Sequence, residues 1–305
     1  MKKFFVLGGN DAEMTVIAGL LAQAGQKFVQ PNKGWGDHVF SPEVLGLDVV
    51  PAHEDERENR RVVPAKVAGY DHVVFVECKP VEGWPEGTPV VIVDHHNENA
   101  GRPASVLQVL GLLRQLPGEM VARSRAFGSE CDKINVARDA AVIEAVVDGM
   151  SSSTRRFVEL VAANDAGYIP AMLALGATPE EVGRVRALER SCQGVTPEQE
   201  AAAEVALAAP AEFVGPYRVV RLAHSKCATV TDRLFRAGQP ERILVLSEDG
   251  EANLFGDGAT CAALKKKFEG WAGGSGLGKA EGQAYWGGHP PHGEVVEFLK
   301  ERFSS

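Results

Sequence analysis

The chain has 305 residues, of which 45% are hydrophobic and 24% charged, and a formal net charge of −9. This length can bury a sizeable core and predicts more than one domain, and the composition excludes an intrinsically disordered chain. No apolar run approaches the ~20 residues that a membrane-spanning helix requires, so we expect no membrane partner. The negative charge argues against duplex nucleic acid, whose binding needs a dense field of Lys and Arg. A small anionic substrate stays compatible with it, because bound divalent cations invert the local field.

The cysteines indicate a reducing compartment. They are odd in number, scattered, and never in a C-x-x-C spacing: Cys78, Cys131, Cys192, Cys227 and Cys261. We therefore expect free thiols and a cytoplasmic location. The N-terminal MKKFFVLGGND has a short apolar run that stops in Gly-Gly-Asn-Asp, which is typical of a first β-strand rather than of a signal peptide.

Strands and helices alternate along the first half of the chain. The hydrophobic pattern predicts strands at Phe4–Leu7, Lys27–Gln30, Val44–Val50, Val73–Val76 and Val90–Val93, and helices at Glu13–Gln26, Ala104–Leu116, Ala140–Asp148 and Phe157–Ala163. The runs at 73–76 and 90–93 are continuously apolar, as in central strands that are buried on both faces. This order predicts an α/β fold with a doubly wound, mainly parallel sheet.

The second half predicts a smaller α/β domain that begins near Gly215 and faces the first across a cleft. An Ala/Glu-rich helix, Pro197–Ala209, serves as the connector. Further strands are expected at Tyr217–Leu222, Ile243–Leu246 and Ala252–Phe255, and helices at Ala228–Phe235, Ala259–Phe268 and Gly293–Phe303. The expected domains are thus residues 1–195, a helical connector at 196–214, and residues 215–305.

Acidic residues and two histidines follow the predicted strands of the first domain. Asp11 and Glu13 come after the first strand, Glu77 follows VVFV, and the run VVIVDHHN ends in Asp94, His95 and His96. The carboxyl ends of parallel strands meet at one edge of a sheet, where ligands bind. Any one of these acids alone is typical of a solvated strand end. Several carboxylates in one cleft repel each other unless cations bridge them, and the adjacent imidazoles favour cations.

This order of residues resembles the DHH phosphoesterase superfamily. The resemblance is carried by the Asp-x-acid pair Asp11 and Glu13, by Glu77, and by the Asp94–His96 motif, and ELVAANDAGYIPAML places Asp165 where the family has a further Asp. YWGGHPPHG, residues 285–293, is similar to the Gly-Gly-Gly-His signature of the family's associated C-terminal domain. The resemblance implies that residues 1–195 form the DHH domain and 215–305 a substrate-binding domain.

The resemblance also implies a mechanism and a set of metal ligands. Family members hold two Mn²⁺ or Mg²⁺ ions, and a metal-activated hydroxide attacks phosphorus. By position, Glu77 would bridge the ions, and Glu13 and Asp165 would join His95 on one ion. Asp11 would hold the other. The catalytic pair would be His96, in contact with the substrate phosphate, and Asp94, which orients the histidines.

Two departures from the family pattern leave alternatives open. Leu7 stands where the family usually has a His, and Glu77 stands where it ordinarily has an Asp. The site would then bind one metal, or recruit His38, His53 or His72 from nearby segments. A non-catalytic or single-metal relative that binds a nucleotide is therefore the alternative function. A pyrophosphatase is a third reading, disfavoured because those relatives lack the Gly-Gly-His turn.

Two clusters in the C-terminal part are candidate substrate contacts. His224, Ser225 and Lys226 end a predicted strand and could meet an anionic group, although Ser225 alone is more typical of a helix N-cap. Gly287, Gly288 and His289 would let the backbone approach a phosphate, the alternative being a tight turn before Pro290. We expect a small phosphate-containing substrate, such as a nucleotide derivative or a short single-stranded oligonucleotide. The sequence leaves a homodimer open.

Overall fold

The computed structural model describes residues 2–32, 34, 38–55, 61–96, 99, 101–127, 129–235, 242–274, 276–280 and 283–304. Asn97 of the VVIVDHHN run lies outside these residues. The chain divides into two compact units, Met1–Ala162 and Ala163–Ser305. Among the described residues, none of the helices is both long and apolar enough to cross a membrane.

The first unit is built on a parallel sheet. Its strands are β1 (Lys3–Leu7), β2 (Lys27–Val29), β3 (Val39–Phe40), β4 (Val49–Val50), β5 (His53–Asp55), β6 (Arg61–Val63), β7 (Lys66–Val67), β8 (His72–Val76), β9 (Lys79–Pro80) and β10 (Val90–Val93). Its helices are α1 (Ala12–Gln23), α2 (Ser105–Phe127), α3 (Glu130–Asp148) and the first part of α4 (Ser152–Ala174). Four strands form the main sheet in the order β10-β8-β1-β2, all parallel, which confirms the predicted fold class.

Both faces of this sheet are covered. Alternate residues of β1 and β8, such as Leu7 and Val76, pack against α1 to α4. Their neighbours, such as Val6 and Phe75, pack against loop residues that include Trp84. Each large side chain buried in this way contributes roughly 1.5–3 kcal/mol, so the central strands need an apolar residue at every position. This is why their sequences read as continuous apolar runs.

The second unit holds a mixed sheet. Its strands are β11 (Glu212–Val214), β12 (Tyr217–Leu222), β13 (Ile243–Ser247), β14 (Ala252–Asp257), β15 (Trp271–Gly273) and β16 (Gln283–Gly288). Its helices are the remainder of α4, α5 (Pro179–Cys192), α6 (Pro197–Ala208), α7 (Ala228–Phe235), α8 (Gly258–Phe268) and α9 (His292–Phe303). The sheet order is β11-β12-β13-β14-β16-β15, in which only β12 and β13 pair in parallel.

The predicted strand at Val44–Val50 is wrong for most of its length. Backbone hydrogen bonds from Leu45 to Ser41 and from Leu47 to Pro42 close a turn there, and Gly46 has a φ of 65°. Only Val49 and Val50 pair as a strand. The turn chemistry of Ser, Pro and Gly thus outweighs the β propensity of the flanking valines.

Helix α5, whose start is fixed by a capping box at Thr178 and Glu181, was not predicted.

The buried cysteines give a first testable prediction. Cys78 and Cys261 are buried, and burial raises the pKa of each thiol to about 12. At pH 8 only about one molecule in 10⁴ would carry either thiolate, which is the nucleophilic form. We expect iodoacetamide to spare both residues in the folded protein and to modify them after denaturation, as measured by peptide mass spectrometry. Half-buried Cys192 provides the internal comparison. Rapid native modification of Cys78 would contradict the prediction.

Candidate metal centre

The ends of two neighbouring strands bring the proposed ligands of the first unit together. Glu77 directly follows β8, and Asp94, His95 and His96 directly follow β10. Because β8 and β10 are parallel neighbours, their carboxyl ends lie at the same edge of the sheet. The Glu77 N–H donates to the carbonyl oxygen of Val93 at 2.9 Å, which extends the strand pairing to the site.

Glu77 adopts a conformation that is uncommon for its residue type. Its φ is 54°, in the left-handed region that disfavours side chains with a Cβ. Residues held in this way cluster at functional sites, where the surrounding structure maintains the strain. The Ser105 hydroxyl donates to Glu77 Oε1 at 2.8 Å. Burial raises the pKa of Glu77, but hydrogen bonding with His95 and the charge of His96 outweigh it, so the pKa is lowered and the carboxylate form is favoured.

The two imidazoles differ in exposure. His95 Nε2 lies 3.5 Å from Glu77 Oε1 and 3.8 Å from Glu13 Oε2, and the His95 side chain is 7% exposed. His96 Nδ1 lies 3.9 Å from Glu77 Oε1, and its side chain is 41% exposed. The ring centroids are 4.3 Å apart. His95 is therefore placed among carboxylates, whereas His96 is open to a molecule arriving from solvent.

Glu77, His95 and His96 form what we call the strand-end ligand group. Each offers a ligand atom, and these atoms lie within 4.8 Å of one another. A carboxylate and two imidazoles are donors that suit divalent transition metals such as Mn²⁺ and Zn²⁺. The residues present therefore fit a metal ion, and the group can hold one.

Asp94 organises the loop that carries the histidines. Its Oδ1 accepts from the His96 N–H at 2.9 Å and lies 3.2 Å from His96 Nδ1, and its Oδ2 accepts from the Asn99 amide at 3.1 Å. Burial raises the pKa of Asp94, but these hydrogen bonds outweigh it and lower the pKa below its ordinary value. The Gln108 amide donates to the Asp94 carbonyl oxygen at 3.1 Å. Asp94 thus fixes the direction of the His96 imidazole without belonging to the strand-end ligand group.

The N-terminus of α1 supplies two further buried acids. Asp11 is the N-cap, and its Oδ1 accepts from the Met14 N–H at 2.7 Å. Glu13 is 1% exposed, and its Oε1 accepts from the Val106 N–H at the start of α2 at 2.9 Å. One oxygen of each carboxylate is therefore occupied by a helix N-terminus. The second oxygen of Glu13 lies 3.8 Å from His95 Nε2, and the roles of Asp11 and Glu13 as metal ligands stay predictions.

Asp165 lies on α4, three residues into the second unit. Val158 and Ala162 of the same helix are buried in the core of the first unit. The role of Asp165 as a ligand stays a prediction.

The additional histidines lie in other surroundings. His38 lies in its own loop, where its ring nitrogens are 3.3 Å from the Asn32 amide and 2.6 Å from the Gly34 carbonyl oxygen. His53 is exposed on β5, and His72 begins β8, at the end of that strand opposite Glu77. Leu7, where the family usually has a His, is fully buried in the apolar core.

The predicted substrate contacts of the second unit lie in a loop and a strand. His224, Ser225 and Lys226 follow β12 and are half-buried. His224 Nε2 lies 2.9 Å from the Gln199 carbonyl oxygen, and its Nδ1 accepts from the Lys226 N–H at 3.1 Å.

Gly287 and Gly288 form the end of β16, so the alternative of a tight turn at these two residues is wrong. A Cβ at position 287 would lie 2.4 Å from the Trp271 indole and 2.5 Å from the Asn253 side chain. Close packing of Trp271 therefore requires glycine at this position. His289 is exposed beside it, with its ring 5.8 Å from the Trp271 ring.

Ser105 and the Val106 N–H were missed by sequence reasoning. Both belong to the first turn of α2, and they hold Glu77 and Glu13. The available signal was a Ser two residues after Pro103, in the first turn of the expected helix. Their target could not be read from the sequence, because 93 residues separate Val106 from Glu13.

No protein-family model and no curated protein matches the sequence. Solved structures similar to this chain include RecJ from Thermus thermophilus in complex with Mg²⁺, with 14% identity and a TM-score of 0.37 over 99% of this chain. The chain spans 49% of that protein. The pGpG-specific phosphodiesterase PggH from Vibrio cholerae has 12% identity and a TM-score of 0.36 over 99% of both chains. An exonuclease RecJ bound to manganese has 12% identity and a TM-score of 0.36, covering 99% of this chain and 89% of its own.

Proposed function

We propose that the chain is a metal-dependent phosphodiesterase that hydrolyses a small anionic substrate, such as a nucleotide derivative or a short oligonucleotide. One observation carries the proposal: the strand-end ligand group gathers Glu77, His95 and His96 at the ends of adjacent parallel strands. The same residues carry the sequence resemblance to the DHH phosphoesterases. Motif order and local geometry thus support the same kind of site.

The proposed ligands of one Mn²⁺ or Mg²⁺ ion are Glu77, His95, Glu13 and Asp165. Asp11 and Glu77 are the proposed ligands of a second ion, although Asp11 also caps α1. Bound ions of this kind lower the pKa of water and stabilise the negative charge that develops on phosphoryl oxygens.

The residues of the chain have distinct proposed roles around such a site. His96, with its exposed ring, contacts the substrate phosphate, and Asp94 holds that ring through the backbone and the side chain. The Ser105 hydroxyl and the Val106 N–H donate to the carboxylates of Glu77 and Glu13, respectively, and so hold them in place. In this arrangement the chain supplies no covalent nucleophile, because the attacking oxygen comes from water.

We assign substrate contacts to His224, Ser225, Lys226, Gly287, Gly288 and His289, within the proposed C-terminal domain at 215–305. The net charge of −9 favours a small substrate over a long nucleic acid, since extended phosphate backbones need many cationic contacts.

Metal stoichiometry and hydrolysis test the proposal together. We expect isothermal titration with Mn²⁺ to saturate at one or two ions per chain. In Mn²⁺, the protein should hydrolyse bis(p-nitrophenyl) phosphate and at least one member of a panel of diribonucleotides and cyclic dinucleotides. Failure to bind Mn²⁺, or Mn²⁺ binding with no turnover of any substrate in this set, would contradict the proposal.

Replacement of Asp94 by Asn tests the supporting role of that residue. Asn keeps the size of the side chain but offers one oxygen acceptor in place of two, so it cannot serve both the His96 and the Asn99 donors. Asp94 holds the His96 ring, the proposed contact with the substrate phosphate, and loss of a group that orients residues around a metal site typically costs about 10- to 100-fold in activity. We expect a loss in that range in the D94N variant, measured as kcat/KM on bis(p-nitrophenyl) phosphate. An unchanged kcat/KM would remove Asp94 from the proposed mechanism.

A further inference from the structure

A buried cluster in the second unit surrounds one carboxylate, and we call it the Asp232 cluster. Asp232 on α7 accepts from Arg186 Nε on α5 at 2.7 Å and is also paired with Arg190. The Tyr168 hydroxyl on α4 lies 2.8 Å from Asp232 Oδ1 and 2.6 Å from the Thr231 hydroxyl. The Asp232 side chain is 3% exposed and that of Arg186 is 6% exposed. A charged group is thus fully withdrawn from water at a point where three helices meet.

The Asp232 cluster contacts α4 on both sides of Asp165. Arg186 Nη1 donates to Asn164 Oδ1 at 2.9 Å, one residue before Asp165. The Arg186 guanidinium also lies over the Tyr168 ring, 4.4 Å from its centroid and three residues after Asp165. One guanidinium therefore contacts α4 on both sides of the proposed metal ligand, one residue before it and three residues after it.

Helix α4 is irregular just after Asp165. Gly167 and Tyr168 have non-helical backbone angles, and Tyr168 has a φ of 60° and a ψ of −153°. A tyrosine in the left-handed region is strained and persists only where its surroundings hold it. The Tyr168 side chain makes those holding contacts, with Asp232, Thr231 and Arg186. The direction of α4 at Asp165 therefore depends on contacts made by the Asp232 cluster.

We propose that Tyr168 and Arg186 are positioning residues that set the orientation of Asp165 for metal binding. The inference rests on the proposed function, in which Asp165 is a ligand. A purely stabilising role explains the cluster less well, because well-packed apolar residues stabilise a core as well as a buried ion pair does. A buried polar network that directs one segment has a clearer use here, since Arg186 contacts Asn164, one residue before the proposed ligand, and Tyr168, three residues after it.

The test compares two tyrosines of the second unit. Tyr168→Phe removes the hydroxyl contact with Asp232 and keeps the ring. Tyr217→Phe is the matched control, because the Tyr217 hydroxyl also donates to a carboxylate, that of Asp257, from a buried ring in the sheet. Both variants are measured for thermal midpoint and for Mn²⁺ affinity by calorimetry. We expect similar thermal shifts, about tenfold weaker Mn²⁺ binding for Y168F, in the range for groups that orient ligands, and less than a twofold change for Y217F.

A double-mutant cycle with Asp165→Asn makes the test specific. If Tyr168 acts through Asp165, then Y168F should weaken Mn²⁺ binding in the wild-type background and have no further effect in the D165N background. Equal losses in Y168F and Y217F, an unchanged affinity in Y168F, or additive losses with D165N would each overturn the inference and leave the proposed function standing. Absence of Mn²⁺ binding by the wild-type protein would overturn both.

Discussion

Replacing His95 by alanine is expected to abolish hydrolysis. His95 is the least exposed member of the strand-end ligand group, and its Nε2 is within 4 Å of both Glu77 and Glu13. Metal ions contribute several kcal/mol of transition-state stabilisation in hydrolases of this kind. Since each 1.36 kcal/mol corresponds to a factor of ten, we expect kcat/KM to fall by at least about 100-fold. The stoichiometry of Mn²⁺ binding should fall by at least one ion.

His72→Ala is the matched control for this substitution. His72 is half-buried and begins β8, the strand that Glu77 directly follows. The H72A variant therefore removes an imidazole from the same sheet at a position away from the proposed ligands. We expect kcat/KM within about twofold of the wild type, as for a residue outside the site. If H95A kept full turnover and stoichiometry, the strand-end ligand group would not be the metal site.

Replacing Gly8 by alanine should destabilise the fold and disturb Glu77. A Cβ at position 8 would lie 2.7 Å from the Glu77 carbonyl oxygen and 3.1 Å from that of Val76, both of which are backbone atoms. Overpacking of this kind typically costs about 1–3 kcal/mol. Because the strain falls on the backbone of Glu77, a proposed metal ligand, we expect weaker Mn²⁺ binding as well. Urea denaturation and calorimetry measure the two effects.

Gly19→Ala separates the local clash from a general effect of losing a glycine. Gly19 lies inside α1, and a Cβ there would meet no atom within 4 Å. Alanine favours a helix interior over glycine by about 0.8–1.0 kcal/mol, so G19A should be as stable as the wild type or more stable. Equal stability and equal Mn²⁺ affinity in G8A and the wild type would show that Gly8 does not constrain Glu77.

The sequence predicts both strands that carry the site, because Val73–Val76 and Val90–Val93 are apolar at every position. Only the first is a buried central strand. Val90–Val93 forms the edge strand β10, whose first three residues are half-buried, so the prediction of a second central strand was wrong. Because the strands are parallel and adjacent, the residues that follow them must meet, so Glu77, His95 and His96 could be grouped in advance. The turn at 41–47 was misread as a strand because its valine and leucines are apolar, whereas the turn chemistry of Ser41, Pro42 and Gly46 decides its conformation.

Contacts between distant parts of the chain could not be predicted. The sequence identifies Glu13 as an acid after a strand, but nothing in it indicates that the Val106 N–H binds that carboxylate. The Asp232 cluster joins residues 164, 186 and 232, each ordinary in its own local sequence. Side-chain pairing of this kind follows from the packing of whole helices, which periodicity does not encode.

The position of the α2 N-terminus has a consequence for the order of folding and metal binding. A helix N-terminus carries roughly half a positive charge. The N-terminus of α2 contacts the Glu13 carboxylate through the Val106 N–H and the Glu77 carboxylate through the Ser105 hydroxyl. Hydrogen bonds from the protein itself therefore hold the two carboxylates in place. We expect part of the entropy of gathering these ligands to be lost during folding, so that ion binding requires little rearrangement. An ion at 100 times its Kd would then stabilise the folded chain by about 2.7 kcal/mol.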